Sequence, residues 1–269
     1  DTAFEAGVPL IISHHKCAGP ANWGRTIETL ALIERLAERQ PIALDVYPYV
    51  AGSTVLREDL VDGVIDPDVL WACTTCRACE QECPVFITYV DKIVDMRRYL
   101  AMERGEFPTQ LQAAFKGLET NANPWSFPAE DRGKWADGLE VKTIAEHPDA
   151  PVLLWVGCAP SFDERAKKVT QATVKLLQKA GVDFAILGTQ EQCTGDPARR
   201  AGNEYLFQIL ARANVETLNG CGAEKKTIVT SCPHCFNTLL NEYPDFGGKY
   251  NVVHHSTFLA DLVNTGKLR

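Results

Sequence analysis

The 269-residue sequence has no excess of positive charge: 27 lysines and arginines against 35 aspartates and glutamates leave it at −8. An acidic chain offers no electrostatic grip on nucleic acid or on an anionic membrane surface, so neither is expected as a partner. No apolar run approaches the ~20 residues a membrane-spanning helix needs, and no signal peptide opens the chain. No methionine stands first; Asp1-Thr2-Ala3-Phe4 reads as the continuation of something upstream. What remains is the composition of a globular protein, 45% hydrophobic and 23% charged, long enough for one large or two ordinary domains. Cysteine is the residue in surplus. Of ten cysteines, most fall at ligand-like spacings, which points to metal in a reducing, cytoplasmic setting rather than to disulfides.

The densest cysteine stretch is Cys73-Thr74-Thr75-Cys76-Arg77-Ala78-Cys79-Glu80-Gln81-Glu82-Cys83-Pro84. This is the C-x-x-C-x-x-C-x-x-x-C-P run of bacterial ferredoxins, which holds a 4Fe–4S cluster. Thiolates two residues apart let the backbone curl so that each sulfur reaches a different iron. The alternatives are a structural zinc site or four core cysteines. Zinc motifs usually come as two separated C-x-x-C pairs, which favours the cluster. Two-cluster modules carry two such runs, each run's last cysteine completing the other run's cluster. Only one run is present, so Cys83 either serves the cluster of Cys73, Cys76 and Cys79 or is left over. Around the run, Asp66-Pro67 is a helix start. Residues 85–102 and 109–118 read as helices, with Ile93, Val94, Met96 and Leu100 in the core. Residues 121–128 read as a turn-rich connector, and Trp125 and Trp135 as packing anchors. Residues 65–150 are thus expected to form a mainly helical, ferredoxin-like segment.

Upstream, residues 8–13 and 42–46 are short apolar runs flanking a helix-periodic stretch at 22–39, with Ile27, Leu30, Leu32, Ile33 and Leu36 near one stripe. Strand, helix, strand makes a βαβ unit, with His14, His15, Lys16, Asp45 and Tyr47 at the carboxyl ends of its strands. Ile12-Ser13-His14-His15-Lys16, Asn22-Trp23-Gly24-Arg25 and the stretch from Leu44 to Thr54 closely resemble the D-aminoacylase family of amidohydrolases. The resemblance implies a fragment of a zinc TIM barrel in residues 1–64, with His14 as a metal ligand and Lys16 as a substrate-site lysine. A catalytic zinc needs three protein ligands, and nothing later in the chain supplies the family's remaining ones, so the fragment is expected to be inert as a deacylase. Cys17 has no metal partner in the pattern and is assigned to packing.

From residue 151 strands and helices alternate. Apolar runs at 151–156, 183–187, 227–230 and 250–253 read as buried parallel strands, and 163–180 and 198–213 as helices between them. Cys158 follows the first run, Cys193 the second, Cys232 and Cys235 the third, and His254-His255 the fourth. Loops after neighbouring parallel strands share one sheet edge, so the four thiols are expected to meet at one metal site, with Cys221 outside it. Zinc or a buried redox disulfide would also predict convergence.

The pattern C…C-T-G…C-P-H-C, in Cys193-Thr194-Gly195-Asp196-Pro197-Ala198-Arg199-Arg200, Asn203-Glu204-Tyr205-Leu206-Phe207-Gln208 and Thr230-Ser231-Cys232-Pro233-His234-Cys235, resembles the cysteine-rich CCG domain of heterodisulfide reductase-related iron–sulfur proteins. The likeness is nearest to those passing electrons from electron-transfer flavoprotein to menaquinone. It covers roughly residues 65–269. The resemblance implies an α/β fold with a C-terminal parallel-sheet CCG domain in 151–269 and a second iron–sulfur cluster on Cys158, Cys193, Cys232 and Cys235. It further implies a flavoprotein donor, a quinone, disulfide-type acceptor or membrane subunit as partner, and a peripheral place at the inner face of the membrane. Thr194 stands where the full motif has a second consecutive cysteine, leaving four ligands rather than five. His234 is expected to hydrogen-bond a cluster sulfur, Asp196 to cap the helix after Cys193, and His254 and His255 to serve a structural role or shuttle protons. The competing readings are an N-acyl-D-amino-acid deacylase fragment and a non-catalytic, metal-stabilised module.

Overall fold

A computed structural model describes residues 10–12, 26–44 and 65–269. The chain divides into two compact units, Asp1–Met96 and Arg97–Arg269, so the helical stretch expected over 65–150 has parts in both. His14, His15, Lys16, Cys17, Asp45 and Tyr47 lie outside the described residues.

In the first unit β1 (Leu10–Ile12) and β2 (Ile42–Leu44) pair in parallel, Leu10 opposite Ile42, and α1 (Thr26–Ala37) connects them. This is the βαβ unit read from the sequence. Of the expected apolar stripe, Leu30, Leu32 and Leu36 are exposed and Ile33 is half-buried. The described residues do not extend this pair into a barrel. Helix α2 (Pro67–Ala72) starts as expected: the Asp66 carboxylate accepts the Asp68 N–H at 2.9 Å, and Pro67 takes the first helical position, where no N–H is needed. Helix α3 (Ala78–Gln81) is a single turn inside the ferredoxin run.

The helix expected from Val85 begins only at Val90, as α4 (Val90–Arg98), and continues as a π-helical turn, Tyr99–Glu103. The residues in between cannot be helical: Phe86 has a positive φ of 56°. The start is set by Glu80, whose carboxylate accepts the N–H groups of Tyr89 and Val90 at 2.8 Å each. Val94, Met96 and Leu100 are buried and Ile93 half-buried.

The second unit continues with α5 (Thr109–Asn121) and a 3-10 helix, Ala129–Ala136. A four-stranded, all-parallel sheet follows, built from β3 (Val152–Trp155), β4 (Phe184–Ile186), β5 (Thr227–Thr230) and β6 (Asn251–His254), in the order β4-β3-β5-β6. Helices α6 (Cys158–Phe162), α7 (Glu164–Lys179), α8 (Asp196–Arg200), α9 (Glu204–Gly220), α10 (Pro233–Asn237) and α11 (His255–Asn264) fill the connections. Side chains alternate across a strand, and here both faces are covered, as parallel sheets require. Leu153, Trp155 and Ile228 join one buried cluster with Phe207, Leu210 and Leu218 of α9. Val152, Leu154 and Val229 join the other with Val174 and Leu177 of α7 and Leu262 of α11.

Two expectations are corrected. The helix expected over 198–213 is two helices, α8 and α9, broken at Gly202. Its φ is +81°, and a Cβ there would lie 2.4 Å from the backbone carbon of Arg97, so the chain needs glycine and cannot run straight through. Helix α9 restarts with the Asn203 side chain accepting the Leu206 N–H at 3.1 Å. Trp135 is buried as an anchor, but Trp125 is half exposed, at 50%, in the tight turn where the Asn123 side chain accepts the N–H groups of Trp125 and Phe127. Among the described residues no helix is long and apolar enough to cross a membrane.

Candidate metal centre of the α/β unit

The register of the sheet carries the chain to one edge at each strand end. Cys158 follows β3 and opens α6; Cys193 and Thr194 follow β4; Cys232 and Cys235 follow β5 and open α10. β3 lies between β4 and β5, so these loops are neighbours. The thiols meet in two hydrogen-bonded pairs, Cys158 with Cys193 and Cys232 with Cys235, and Cys235 also feels the charge of Cys158 and Cys193. All four are free thiols; Cys158, Cys193 and Cys235 are buried and Cys232 is half-buried.

The surrounding backbone is arranged for sulfur. Gly157, before Cys158, has φ +89°, and a Cβ there would lie 3.4 Å from Cys235 Sγ and 3.7 Å from Cys232 Cβ. Only glycine leaves that space while holding that conformation. The Cys232 sulfur accepts the N–H groups of His234 and Cys235 at the start of α10, and Cys193 accepts that of Gly195. Thr194 Oγ1, at the position of the missing cysteine, is buried 3.9 Å from Cys235 Sγ. Asn214 Nδ2 donates to the Cys193 carbonyl at 2.8 Å, and Tyr243 Oη donates to the Thr194 carbonyl at 3.1 Å, so the loop is pinned from behind.

The thiols are not equivalent. Hydrogen bonding from Cys235, aided by the two amides and by His234, outweighs burial and pulls Cys232 down to about 6. Cys158 is also lowered, by the hydrogen bond from Cys193 and, against burial, by the Arg132 guanidinium. Cys193 and Cys235, the donors in each pair, are pushed well up by that bond and by burial. Each pair therefore holds one thiolate-prone and one protonated sulfur.

Arg132 and Glu191 lie directly against this centre. Arg132 Nη2 donates to Cys158 Sγ at 3.4 Å, and Nη1 donates to Glu191 Oε1 at 3.1 Å; both side chains are buried. Glu191 accepts the N–H groups of Val156 at 2.8 Å and Gly157 at 2.7 Å. Burial raises the Glu191 carboxyl, with Arg132 and the two amides pulling the other way. Neither residue belongs to a motif. The signal available in the sequence is a glutamate two residues before Cys193, between a buried strand and a buried thiol, where a charge needs a partner.

His234 does not turn its ring to a sulfur: Nδ1 pairs with Asp196 Oδ2 at 2.9 Å, the ring is largely exposed, and it is the His234 backbone amide that serves Cys232. Asp196 does not cap α8, whose N-cap is Gly195; it pairs with Arg200 at 3.1 Å, accepts from Thr238 at 3.4 Å and raises the His234 imidazole. Arg199 lies over the Phe207 ring and pairs with Glu242. Cys221 is away from the strand ends, at the end of α9, where its Sγ donates to the Leu218 carbonyl at 3.2 Å. His254 is held by Ser256 and the Ser231 carbonyl and packs against Phe236, a structural arrangement.

In the ferredoxin run the chain curls through two left-handed residues, Thr75 (φ 55°) and Arg77 (φ 62°). Backbone amides turn onto the sulfurs: Thr75 N–H onto Cys73 at 3.4 Å, Ala78 N–H onto Cys76, and Ile87 N–H onto Cys83 at 3.3 Å, with Tyr89 Oη 3.7 Å away. These bonds lower the thiols of Cys76 and Cys83. Cys76 and Cys79 are exposed and Cys83 is buried.

Among the described residues no three His, Cys, Asp or Glu side chains are placed to hold a metal ion as they stand. A cluster asks something different of the donors, one sulfur per iron rather than all at one ion. Free thiols, amide donors on the sulfurs and a glycine that keeps the space open fit such a group. The buried indole N–H of Trp155, in the same cluster as Cys158, Cys193 and Cys235, has no partner among the described residues.

This arrangement defines a cysteine-rich domain: residues 152–240 match the CCG cysteine-rich domain family. The chain is 42% identical over 251 residues to the EtfAB:quinone oxidoreductase of Syntrophomonas wolfei, covering 91% of this chain and 33% of that protein. It is 44% identical over 234 residues to the "probable iron-sulfur-binding oxidoreductase" of Bacillus subtilis, 84% of this chain and 32% of that one. The chain thus spans about a third of the length of these relatives. A 57-residue stretch is 58% identical to the D-aminoacylase of Alcaligenes xylosoxydans, 21% of this chain and 12% of that enzyme. No solved structure matches.

Proposed function

We propose that this chain is the iron–sulfur electron-transfer part of an oxidoreductase, with a 4Fe–4S cluster on Cys73, Cys76, Cys79 and Cys83 and a second cluster on Cys158, Cys193, Cys232 and Cys235. The donor is a flavoprotein of the EtfAB kind and the acceptor a quinone, by likeness to the relative named for both. The place of work is the cytoplasmic side of the membrane. The observation that carries this reading is the meeting of four free thiols from three strand ends of one sheet, with backbone amides aimed at them. A bound cluster supplies one-electron storage at a potential set by thiolates, hydrogen bonds and burial. The chain's own residues supply those settings: the amides of His234, Cys235 and Gly195 satisfy the sulfurs, and the buried positions of Cys158, Cys193 and Cys235 exclude water from the centre.

The deacylase reading has His14 alone to offer, against the three protein ligands of a catalytic zinc. The test is anaerobic purification with iron and sulfide quantification. Cys76→Ala and Cys232→Ser should each remove about half the iron, one site apiece. Iron content unchanged in both variants, or absent from the wild type, would refute the proposal.

A further inference from the structure

Arg132 is a buried cation with each part of its fork committed. Nη1 meets Glu191 at 3.1 Å; Nη2 is shared between the Ala122 carbonyl at 3.2 Å and Cys158 Sγ at 3.4 Å; and the guanidinium carbon sits 5.3 Å from the centre of the Phe162 ring. Phe162 is in turn stacked on Phe127, centroids 5.0 Å apart. Glu191 is fixed just as firmly, by the amides of Val156 and Gly157, the two residues that lead into Cys158. A buried ion pair adds little to stability over an apolar pair of the same volume, so packing alone does not explain a charge held at this point. The pair is also polarised. Its positive end donates to the Cys158 sulfur, and its negative end, held by the Val156 and Gly157 amides, acts on the same thiol in the opposite direction.

We propose that Arg132 is a positioning residue that raises the reduction potential of the centre at Cys158, Cys193, Cys232 and Cys235, by donating a hydrogen bond and presenting a fixed positive charge to the Cys158 sulfur. The inference rests on the cluster reading above. One-electron reduction adds a negative charge to the centre, the electron coming from the external reductant. A cation against one ligand favours the reduced form, and hydrogen bonds to the sulfurs act in the same direction. Glu191 orients the guanidinium and partly offsets its charge, so the two residues act on the potential with opposite signs.

The test is a potentiometric titration of the full chain followed by electron paramagnetic resonance. The signal belonging to this centre is the one abolished by Cys232→Ser. Arg132→Gln should lower its midpoint by at least tenfold in the reduction equilibrium, about 59 mV for one electron. Arg132→Lys, which keeps the charge, should recover most of that shift, and Glu191→Gln should move the midpoint upward. A purely structural role would move Arg132→Gln and Glu191→Gln the same way or neither, and that result overturns the proposal. If Arg132→Gln does not fold, the direction of the Glu191→Gln shift decides. Wild-type protein without a signal dependent on Cys232 removes the cluster reading itself; a signal whose midpoint ignores both substitutions removes only the role of Arg132.

Discussion

Replacing Glu191 with alanine tests how far the buried pair supports the fold before any metal is considered. The carboxylate accepts three hydrogen bonds, at 3.1 Å from Arg132, 2.8 Å from Val156 and 2.7 Å from Gly157. Its removal strands the guanidinium of a residue only 3% exposed. Breaking one side of a buried ion pair costs about 3–5 kcal/mol, and each amide left without a partner adds about 1–3 kcal/mol. Water entering the space would recover part of this, so we expect a loss of about 3–5 kcal/mol in all. The control is Glu164→Ala. Glu164 pairs with Lys167 at a similar 2.8 Å, but its side chain is 86% exposed, and an exposed helical pair is worth at most about 0.5 kcal/mol. Urea unfolding under anaerobic, reducing conditions, followed by circular dichroism, measures both. The midpoint should fall sharply for Glu191→Ala with the slope unchanged, and hardly at all for Glu164→Ala. A loss below about 1 kcal/mol for Glu191→Ala would mean that the pair is hydrated or rearranged and that distance and burial mislead here.

Two further outcomes are expected. Gly181 and Gly202 both have positive φ, +65° and +81°, but a Cβ at Gly181 meets nothing within 4 Å while one at Gly202 falls 2.4 Å from the Arg97 backbone. Gly181→Ala should therefore cost about 1–2 kcal/mol from conformation alone. Gly202→Ala should cost about 3 kcal/mol or more once overpacking is added, measured by the same unfolding; equal losses would contradict the close approach. In the metal-free, reduced chain, alkylation of Cys232 followed by peptide mass spectrometry should rise with pH around a midpoint near about 6, where its thiol is placed by Cys235 and the amides of α10. A midpoint at the ordinary thiol value of about 8.5 would show that these hydrogen bonds do not form.

The strands were legible because each is a short run with an apolar centre, and such runs between helix-length segments have few alternatives to a buried parallel sheet. The convergence of the thiols was legible for the same reason: the segment after each buried strand is delivered to one sheet edge, within three residues for Cys158 and Cys232 and after a 3-10 turn for Cys193. Legibility ended where a local pattern competes with a distant contact. The helix expected over 198–213 has unbroken helical periodicity, yet Gly202 must yield to the backbone of Arg97, more than a hundred residues earlier. The start of α4 is decided by Glu80, ten residues before it, whose carboxylate accepts two amides there. Asp196 has the position of a cap but bonds Arg200, His234 and Thr238 instead, because three partners for a buried carboxylate outweigh one amide.

Arg132 and Glu191 show the same limit at the centre itself. Arg132 lies in Ala129-Glu130-Asp131-Arg132-Gly133-Lys134-Trp135, a charged stretch that local rules assign to solvent, and 59 residues separate it from its partner. Cysteines announce a metal centre because few other roles explain their spacing, whereas a single arginine has many. What distinguishes this one is burial, which only the fold reveals: a charge that is withdrawn from water must be matched, and with one side matched by Glu191 the other is shared between the Ala122 carbonyl and the Cys158 sulfur. On the proposed reading, the thiols that would hold a cluster are read from sequence and the groups that would tune it from structure, so chains with the same C…C-T-G…C-P-H-C pattern can be expected to differ in potential according to what their folds place at the position of Arg132.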